Sequence, residues 1–333
     1  MPEQVPERFK AYRVNKDEEG YHAGVEDIGL ADLNEGDVVI RSSYSGINYK
    51  DALAGSGKAP IMRRYPMVGG IDVAGTVVSS ESERFKPGDE VLVTGAGLSE
   101  TRDGGYSEYV RLESQWIVPL PAGLSALEAM TIGTAGFTAA MSLYRMEKMG
   151  QRPDMGPILV TGASGGVGSI AINILANAGY EVHALSGKDE QFDWLKGLGA
   201  SECINRHDLE FSGKPLDRGR WGGCIDSVGG ATLSGICAMI NPWGNIAACG
   251  LAGGIKLDTT VMPFISRGVS LIGIDSPQCP YAIREAIWPR LGSELKPVKM
   301  ETIRNRVVGL DDLNDIFGGM LKGNSLGRIV VEL

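Results

Sequence analysis

The fold of this chain is decided by residues 158–169, which read ILVTGASGGVGS and lead directly into the apolar helical pattern of residues 170–175. Ala163, Gly165 and Gly168 take the three positions of the dinucleotide-binding fingerprint, with alanine at the first. A strand that turns tightly into a helix brings bare backbone and helix N–H groups against a pyrophosphate. Glycines also serve as plain turns, but here a strand precedes them and a helix follows. The predicted phosphate contacts are Ser164, Gly165, Gly166 and Val167.

Alternating strands and helices surround this loop. The predicted strands are residues 158–160, 181–185, 224–226, 245–248 and 269–273, and the predicted helices are residues 169–178 and 190–198. Before the loop, Ser125 followed by Glu128 predicts a capping box that starts a helix, and residues 138–149 predict a second helix. The alternation predicts an α/β protein with a doubly wound parallel sheet, a Rossmann domain, over residues 123–294.

Short strands separated by turns fill the chain before residue 120. Residues 38–40, 71–78 and 90–93 are β-branched runs, and residues 86–89 (KPGD) are a turn signal. This pattern predicts an all-β, partly open barrel. The last segment, residues 328–333, is again β-branched, and we expect it to return to this domain. The predicted barrel domain therefore comprises residues 1–122 and 295–333.

The composition is that of a globular protein large enough for two domains. The chain has 333 residues, and its 43% hydrophobic and 22% charged residues exclude a disordered or fibrous chain. A net charge of −9 argues against nucleic acid as a partner, because phosphate backbones need a basic face. No apolar run approaches the ~18 residues of a membrane span, and the first residues lack the basic-then-apolar order of a signal peptide. We therefore expect a cytoplasmic protein without a membrane partner.

The five cysteines all lie after residue 200, and none forms a CxxC pair. They are Cys203, Cys224, Cys237, Cys249 and Cys279. The spacing indicates no disulfide framework. We expect buried, unreactive thiols, with a reactive cysteine as the alternative.

The choice between nicotinamide nucleotides is made about 20 residues after the loop, at the end of the second strand. Residues 186–188 (SGK) follow that strand in place of an immediate carboxylate, so Ser186, Gly187 and Lys188 offer the ribose a hydroxyl and a cation. Arg206 ends residues 203–206 (CINR), at the expected end of the third strand along the chain from the phosphate loop, and can supply a second cation for a 2′-phosphate. Asp189 competes with this interpretation, because it would bind an unphosphorylated ribose if the loop were shifted, and Lys188 could be an ordinary solvated residue. NADPH is predicted ahead of NADH.

Blocks spread over essentially the whole chain resemble one known family. They are residues 47–53 (INYKDAL), 66–76 (PMVGGIDVAGT), 132–139 (IGTAGFTA), 160–168 (VTGASGGVG), 248–254 (ACGLAGG) and 261–265 (VMPFI). The chain thereby resembles the acryloyl-CoA reductase and quinone oxidoreductase group of the medium-chain dehydrogenases/reductases. The resemblance implies a GroES-like barrel that holds the substrate, a Rossmann domain that holds NADPH, an active site in the cleft between them, and a homodimer.

Zinc-dependent relatives of this group place metal ligands where this chain has other residues. They carry a cysteine near residues 48 and 49, a His-Glu pair at residues 71 and 72, and a four-cysteine lobe around residues 95–115, and none of these ligands is present in this sequence. No cysteine occurs before Cys203, and the chain has three histidines in all. We therefore expect no metal site in the barrel. His183 lies inside a predicted strand and is expected to be a packed residue.

The resemblance also points to individual site residues. Tyr49 resembles the nicotinamide-contacting tyrosine of the family, and we interpret it as a cofactor contact and a candidate proton donor; a packed loop tyrosine is the alternative for the second role. Asn48 is expected to position the nicotinamide amide or the substrate carbonyl. The cofactor-lining positions implied by the resemblance are Leu251, Ile265, Ser276 and Asn324.

The phosphates of a CoA thioester would need cations at the mouth of the site. The candidates are Lys58, Arg63, Arg64, Arg284 and Arg290. For each residue considered alone, a solvated surface position is the simpler interpretation. Without a metal to polarise a carbonyl, conjugate reduction of an activated C=C bond remains accessible. The sequence predicts NADPH-dependent reduction of acryloyl-CoA to propionyl-CoA, or of a similar short α,β-unsaturated acyl-CoA, by hydride transfer to the β-carbon. The alternatives are an NADPH:quinone or enone oxidoreductase, and a non-catalytic NADPH-binding protein.

Overall fold

The computed structural model describes residues 5–333. Its strands are β1 (Phe9–Asp17), β2 (Gly20–Ile28), β3 (Val38–Gly46), β4 (Met67–Val68), β5 (Asp72–Ser80), β6 (Glu90–Thr94), β7 (Tyr109–Leu112), β8 (Val118–Pro119), β9 (Ile158–Thr161), β10 (Val182–Ser186), β11 (Glu202–Asn205), β12 (Trp221–Asp226), β13 (Ile240–Ala248), β14 (Ser270–Gly273), β15 (Arg304–Val308) and β16 (Arg328–Glu332). Its helices are α1 (Tyr49–Gly55), α2 (Ala126–Lys148), α3 (Gly166–Asn177), α4 (Phe192–Leu198), α5 (Gly230–Met239), α6 (Met262–Arg267), α7 (Tyr281–Leu291), α8 (Met300–Ile303) and α9 (Leu313–Leu321).

Two compact units share the chain. The first unit comprises the described residues up to Thr134 together with Pro277–Gly292 and Arg304–Leu333, and the second comprises Ala135–Ser276 and Ser293–Ile303. The predicted boundaries, residues 1–122 with 295–333 against residues 123–294, differ from this division. Arg284 gives the reason for one difference, because its buried guanidinium donates to the carbonyl oxygens of Thr94 at 2.6 Å and Pro277 at 2.8 Å, within the first unit. Contacts between segments so far apart leave no local signal in the sequence.

The second unit is built on one six-stranded parallel sheet. Its strands lie in the order β11-β10-β9-β12-β13-β14, and each neighbouring pair is parallel. This is the 3-2-1-4-5-6 order of a Rossmann sheet, in which the order reverses between β9 and β12. All residues of these two strands are buried, as expected where helices cover both faces of a parallel sheet. The predicted doubly wound sheet is confirmed.

The first unit is a partly open barrel of mostly antiparallel strands, as predicted. Six of its strands lie in the order β15-β16-β3-β5-β6-β8, β7 also pairs with β3, and a second, three-stranded sheet has the order β2-β1-β4. The terminal strand β16 pairs with β3, with Val331 opposite Ser45. The last segment of the chain therefore returns to the first unit, which confirms the expectation from its β-branched sequence.

Helix α2 begins and bends for identifiable reasons. The N–H of Ser125 donates to Glu128 Oε2 at 2.9 Å and the N–H of Glu128 to Ser125 Oγ at 3.2 Å, which confirms the predicted capping box. The sequence predicts two separate helices here, but the structure has a single helical stretch that Gly133 interrupts with φ 50° and ψ −160°. A Cβ atom at Gly133 would lie 2.5 Å from Asp72 Oδ2, so only glycine fits this bend. Although α2 has 23 residues, no helix within residues 5–333 has both the length and the apolar character to cross a membrane.

Candidate active site

The loop between β9 and α3 leaves its backbone open to an anion. Gly162 turns the chain with φ 58°, and its carbonyl oxygen accepts a hydrogen bond from the N–H of Gly165 at 2.9 Å. Helix α3 begins three residues earlier than predicted, and no described side chain caps it, so its first N–H groups include those of Gly166 and Val167. A Cβ atom at Gly168 would lie 2.5 Å from the Gly162 oxygen, whereas at Gly165 it would meet that oxygen alone, at 3.3 Å. A pyrophosphate fits this bare backbone.

A buried carboxylate holds this loop from behind. Asp226, the last residue of β12, accepts hydrogen bonds from Thr161 Oγ1 at 2.7 Å and from the N–H of Gly229 at 2.8 Å. Ser227 adds two bonds to Thr161, one from its N–H and one from its hydroxyl, both at 3.0 Å. Burial raises the pKa of Asp226, against the opposing effect of these donors. Sequence reasoning missed this group, whose only signal was a polar residue at the end of each of two apolar strands.

The four predicted 2′-phosphate contacts, Ser186, Gly187, Lys188 and Arg206, lie together at and beyond the carboxyl ends of β10 and β11. The N–H of Arg206 donates to the carbonyl oxygen of Ser186 at 2.9 Å, and the N–H of Lys188 donates to Ser186 Oγ at 3.2 Å. A Cβ atom at Gly187 would lie 2.6 Å from Arg206 Nε, so the glycine lets the guanidinium lie against the backbone. A hydroxyl and a guanidinium placed in this way fit a phosphate on the ribose.

The competing carboxylate is engaged elsewhere. Asp189 Oδ1 accepts a hydrogen bond from Asn205 Nδ2 at 2.7 Å. Asn205 in turn is the last residue of β11 and accepts the N–H of His207 on its side-chain oxygen at 2.8 Å. This hydrogen bond holds Asp189 in the turn that follows Lys188. The position of Asp189 therefore favours Ser186 and Arg206 as the groups that contact the phosphorylated ribose.

The remaining predicted cofactor contacts of the second unit lie on separate segments. Leu251 follows β13 and is 64% exposed, and Ile265 lies on α6 and is 73% exposed. Ser276 follows β14, and its buried hydroxyl oxygen lies 2.5 Å from that of Thr138. The parallel strands bring Leu251 and Ser276 beyond the same edge of the sheet as the phosphate loop. Ile265 precedes β14, so the sheet alone does not bring it there.

Helix α1 carries the two predicted catalytic residues at its start. Tyr49 is its first residue and is 49% exposed. Asn48 is buried, and its Nδ2 donates to Asp72 Oδ2 at 2.8 Å and to Asp51 Oδ2 at 3.3 Å. Its Oδ1 accepts from Arg328 Nη1 at 3.1 Å. Because both ends of the Asn48 amide are engaged inside the barrel unit, the geometry favours a positioning role over the predicted contact with nicotinamide or substrate.

Asp51, Asp72 and Arg328 form a buried charge cluster that sequence reasoning missed. Asp72 accepts hydrogen bonds from the N–H of Thr134 at 3.0 Å and from its hydroxyl at 2.5 Å. Arg328 Nε donates to the carbonyl oxygen of Thr131 at 2.9 Å, and its Nη2 lies 3.8 Å from Asp72 Oδ2, too far for a hydrogen bond. The only signals were charged residues within apolar runs, at the start of β5 and of β16.

Burial is the main influence on the ionisation of this cluster. Burial, followed by the nearby charge of Asp72, raises the pKa of Asp51 to about 7. It also raises the pKa of Asp72, while the cation of Arg328 opposes that effect. The pKa of Arg328 is lowered by burial, and the pKa of the buried Tyr106 lies well above its usual value. The protonation of the cluster is therefore determined by burial and by charges that all belong to the first unit.

The other predicted residues of the first unit lie on loops and one helix. Asn324 is exposed in the turn before β16, where its N–H donates to the carbonyl oxygen of Gly319 at 3.2 Å. Arg64 pairs with the buried Asp103 at 2.6 Å. The CoA hypothesis for Arg284 is wrong, because that side chain is 1% exposed. The remaining candidate cations, two exposed and one half-buried, are Lys58, Arg63 and Arg290.

Two family models match the chain. The alcohol dehydrogenase GroES-like domain matches residues 34–122, and the zinc-binding dehydrogenase domain matches residues 166–291. Despite the second description, no group of three or more His, Cys, Asp or Glu side chains in residues 5–333 is arranged to hold a metal ion.

Three proteins illustrate the closeness of the match. "Putative quinone oxidoreductase YhfP" of Bacillus subtilis is 47% identical over 98% of this chain and 99% of its own, and its structure with NAD bound superposes with a TM-score of 0.95. Acrylyl-CoA reductase AcuI of Ruegeria pomeroyi is 45% identical over 98% of this chain and 99% of its own. The yhdH oxidoreductase of Salmonella enterica, in complex with NADP, is 42% identical over 97% and 99% of the two chains, with a TM-score of 0.94. The resemblance inferred from the sequence blocks is confirmed.

Proposed function

The chain belongs to the medium-chain dehydrogenase/reductase group that contains acrylyl-CoA reductase AcuI and YhfP, and from that premise we propose that it uses NADPH to reduce acryloyl-CoA. A similar short α,β-unsaturated acyl-CoA is included in the proposal, which gives propionyl-CoA in the case of acryloyl-CoA. The choice of NADPH is carried by the groups beyond the carboxyl ends of the parallel strands, which are the phosphate loop, Ser186 with Gly187, and Arg206. The acyl-CoA substrate is supported by the 45% identity to acrylyl-CoA reductase AcuI over 98% of the chain.

The choice of NADPH is supported by charge and by one relative. Arg206 lies against Gly187, and the carboxylate of Asp189 is bound to Asn205 instead of being free for a ribose hydroxyl. The Salmonella enterica relative was solved with NADP. YhfP was solved with NAD, so any test must compare both nucleotides directly.

The chemistry would divide between the cofactor and this chain. When bound, NADPH supplies a hydride for the β-carbon of the substrate. The loop at Gly165 to Gly168 would hold its pyrophosphate, and Ser186 and Arg206 its 2′-phosphate. Tyr49, half exposed at the start of α1, would contact the nicotinamide and is the candidate donor of the proton that completes the reduction. Asn48 would hold the start of α1 in place.

Two alternative functions are distinguished from the proposal by its test, and a specific observation favours only the first. A quinone or enone reductase would use the same fold and the same hydride, and the name of YhfP favours that activity for one close relative. A non-catalytic NADPH-binding protein would retain the phosphate loop without turnover. The expected homodimer stays a prediction, which light scattering of the purified protein would check.

The test is the oxidation of NADPH at 340 nm with acryloyl-CoA, crotonyl-CoA and a benzoquinone side by side, repeated with NADH. Preference for acryloyl-CoA with NADPH supports the proposal. Turnover of the quinone alone transfers the function to the first alternative, and binding of NADPH without turnover of any acceptor transfers it to the second. Equal use of NADH would overturn the assignment of the 2′-phosphate contacts.

A further inference from the structure

The carboxylate of Asp51 bonds the start of α1 to the segment before β5. Asp51 Oδ2 accepts the N–H of Asn48 at 2.8 Å, and Asp51 Oδ1 accepts the N–H of Ile71 at 2.9 Å. The first bond closes the amino end of α1, and the second binds that turn to the segment that leads into β5. Asp51 is 2% exposed, so water does not replace either bond. The backbone of Tyr49 lies between the two residues of the first bond.

A second carboxylate reinforces the same turn. Asn48 Nδ2 bridges Asp51 and Asp72, and Arg328 Nη1 holds the other end of the Asn48 amide. The turn that precedes Tyr49 is thus held by groups from α1, β5 and β16. Tyr49 itself is 49% exposed, so its position depends on this backbone turn more than on packing around its ring.

The groups that face Asp51 come from each of the elements around it. Asp72 of β5 raises its pKa by charge repulsion, and burial is the larger cause of a value near 7. Tyr106, in the segment before β7, shares a hydrogen bond with Asp51, and Arg328 of β16 is the cation of the cluster. On α1 itself, Lys50 is paired with Glu100 at 2.6 Å. One proton can therefore enter or leave this cluster near neutral pH. When the proton leaves, the hydrogen bonds that Asp51 accepts become stronger, because their acceptor is then a charged carboxylate.

We propose that Asp51 is a positioning residue for Tyr49, which it holds through the Asn48 N–H bond and the bond to Ile71. That Tyr49 faces the cofactor rests on the proposed function; that Asp51 sets the position of Tyr49 does not. Because both bonds end on the Asp51 carboxylate, the position of the Tyr49 ring follows the protonation of Asp51.

The test uses the full-length protein with ring ε-¹³C-labelled tyrosine and records ¹H–¹³C spectra from pH 5.5 to pH 8.5. The chain has 10 tyrosines, and the Tyr49 signal is the one that disappears in Tyr49→Phe. It is expected to shift with a midpoint near pH 7 in the wild-type protein. The shift is expected to vanish in Asp51→Asn. In Asp72→Asn, which removes the nearest negative charge, the midpoint is expected to fall by about 1 pH unit.

Each outcome decides the proposal. The proposal is overturned if the Tyr49 signal does not move with pH, or if its midpoint is the same in Asp72→Asn as in the wild-type protein. Both results can be obtained even if Asp51→Asn fails to fold. Asp315→Asn is the matched control, because Asp315 is exposed on α9, and it should leave the midpoint unchanged. No substrate is present in these spectra, so failure to reduce acryloyl-CoA would end the proposed function and leave this result standing.

Discussion

Replacing Arg328 with methionine is expected to destabilise the first unit by about 3–5 kcal/mol, because removing one partner of a buried ion pair strands the other charge. Arg328 is 2% exposed, donates to the carbonyl oxygen of Thr131 at 2.9 Å, and lies 3.8 Å from Asp72. Methionine fills much of the same volume but leaves Asp51 and Asp72 without a cation. Since folded proteins are stable by about 5–15 kcal/mol in total, this is a large loss.

The loss of stability in Arg328→Met should come from the negative charge of Asp72, which is left without a cation. The double variant Arg328→Met with Asp72→Asn removes that charge, and it should recover about 1–3 kcal/mol of the single variant's cost. Acid should act in the same direction, because burial already raises the pKa of Asp72 and protonation removes its charge. The cost of Arg328→Met is therefore expected to be smaller at pH 5 than at pH 8.

Native-state hydrogen exchange by mass spectrometry is the appropriate assay, because the two units need not unfold together. Peptides that cover β3 and β16 report the first unit, and peptides that cover β9 and β12 report the second. Arg306→Met is the matched control on the exposed face of β15 and should change the free energy of opening by less than about 0.5 kcal/mol. A cost below about 1 kcal/mol for Arg328→Met, or an equal cost in both units, would refute the reasoning.

Four further outcomes are expected. Lys188→Glu with Arg206→Ala should raise the KM for NADPH by about 10- to 100-fold, from the loss of charge-assisted hydrogen bonds worth about 1.5–3 kcal/mol, and should change the KM for NADH little. Tyr49→Phe should lower kcat by about 10²-fold or more if the hydroxyl donates the proton, and an unchanged kcat would leave it a packing role. Gly168→Ala should abolish NADPH binding in fluorescence titration, because the added Cβ would lie 2.5 Å from a backbone oxygen of the loop. The pKa of Asp51 is raised to about 7 by burial. The contribution of Asp51 to the free energy of unfolding should therefore be full below about pH 4 and lost as the pH rises through about 7. Urea midpoints of the wild-type protein and of Asp51→Asn, measured at several pH values, test the direction of this change.

Matched control variants separate these specific effects from a general loss of stability or folding. Lys214→Glu with Arg218→Ala makes the same change of charge on an exposed loop of the second unit, and it should leave both KM values unchanged. Gly197→Ala adds a methyl group to α4 where no atom lies within 4 Å, so NADPH binding should persist. Tyr144→Phe removes a hydroxyl from α2 and should leave kcat unchanged. A constant difference between wild type and the Asp51 variant at all pH values would contradict the ionisation argument.

Local sequence signals predicted the parts of the molecule that are local in the chain. The phosphate loop is one strand, one turn and one helix, so spacing alone located Gly165 and Gly168. Ser125 with Glu128 predicted a capping box that spans four residues. The parallel sheet followed from alternation, since each strand had its own apolar run. The start of α3 was placed three residues late because glycines have low helix propensity, although here they begin the helix.

The parts that could not be predicted depend on contacts between distant segments. Asp72 and Arg328 stand in apolar strands 256 positions apart, and nothing local indicates that they face one another. The break at Gly133 is explained by the side chains of Asp72 and Arg328, because a Cβ atom there would lie 2.5 Å from Asp72 Oδ2 and 2.7 Å from Arg328 Nη2. Arg284 was taken for a surface cation because its partners are backbone carbonyls, which carry no sequence signature. The expectation that Asn48 positions the nicotinamide amide or the substrate carbonyl stays a prediction, and the hydrogen bonds of Asn48 to Asp72 and Arg328 could not be inferred from the sequence.

The ionisation of the cysteines matters for a protein whose proposed substrate is an alkylating agent. Activated C=C bonds add to thiolates and much less readily to thiols. Burial raises the pKa of Cys203 and Cys224, of Cys237 to about 11 and of Cys249 to about 12, and Cys279 is also buried. At neutral pH these four sulfur atoms with raised pKa values stay protonated. Under the proposed function, this protonation protects the thiols from covalent modification by the substrate that the protein would reduce.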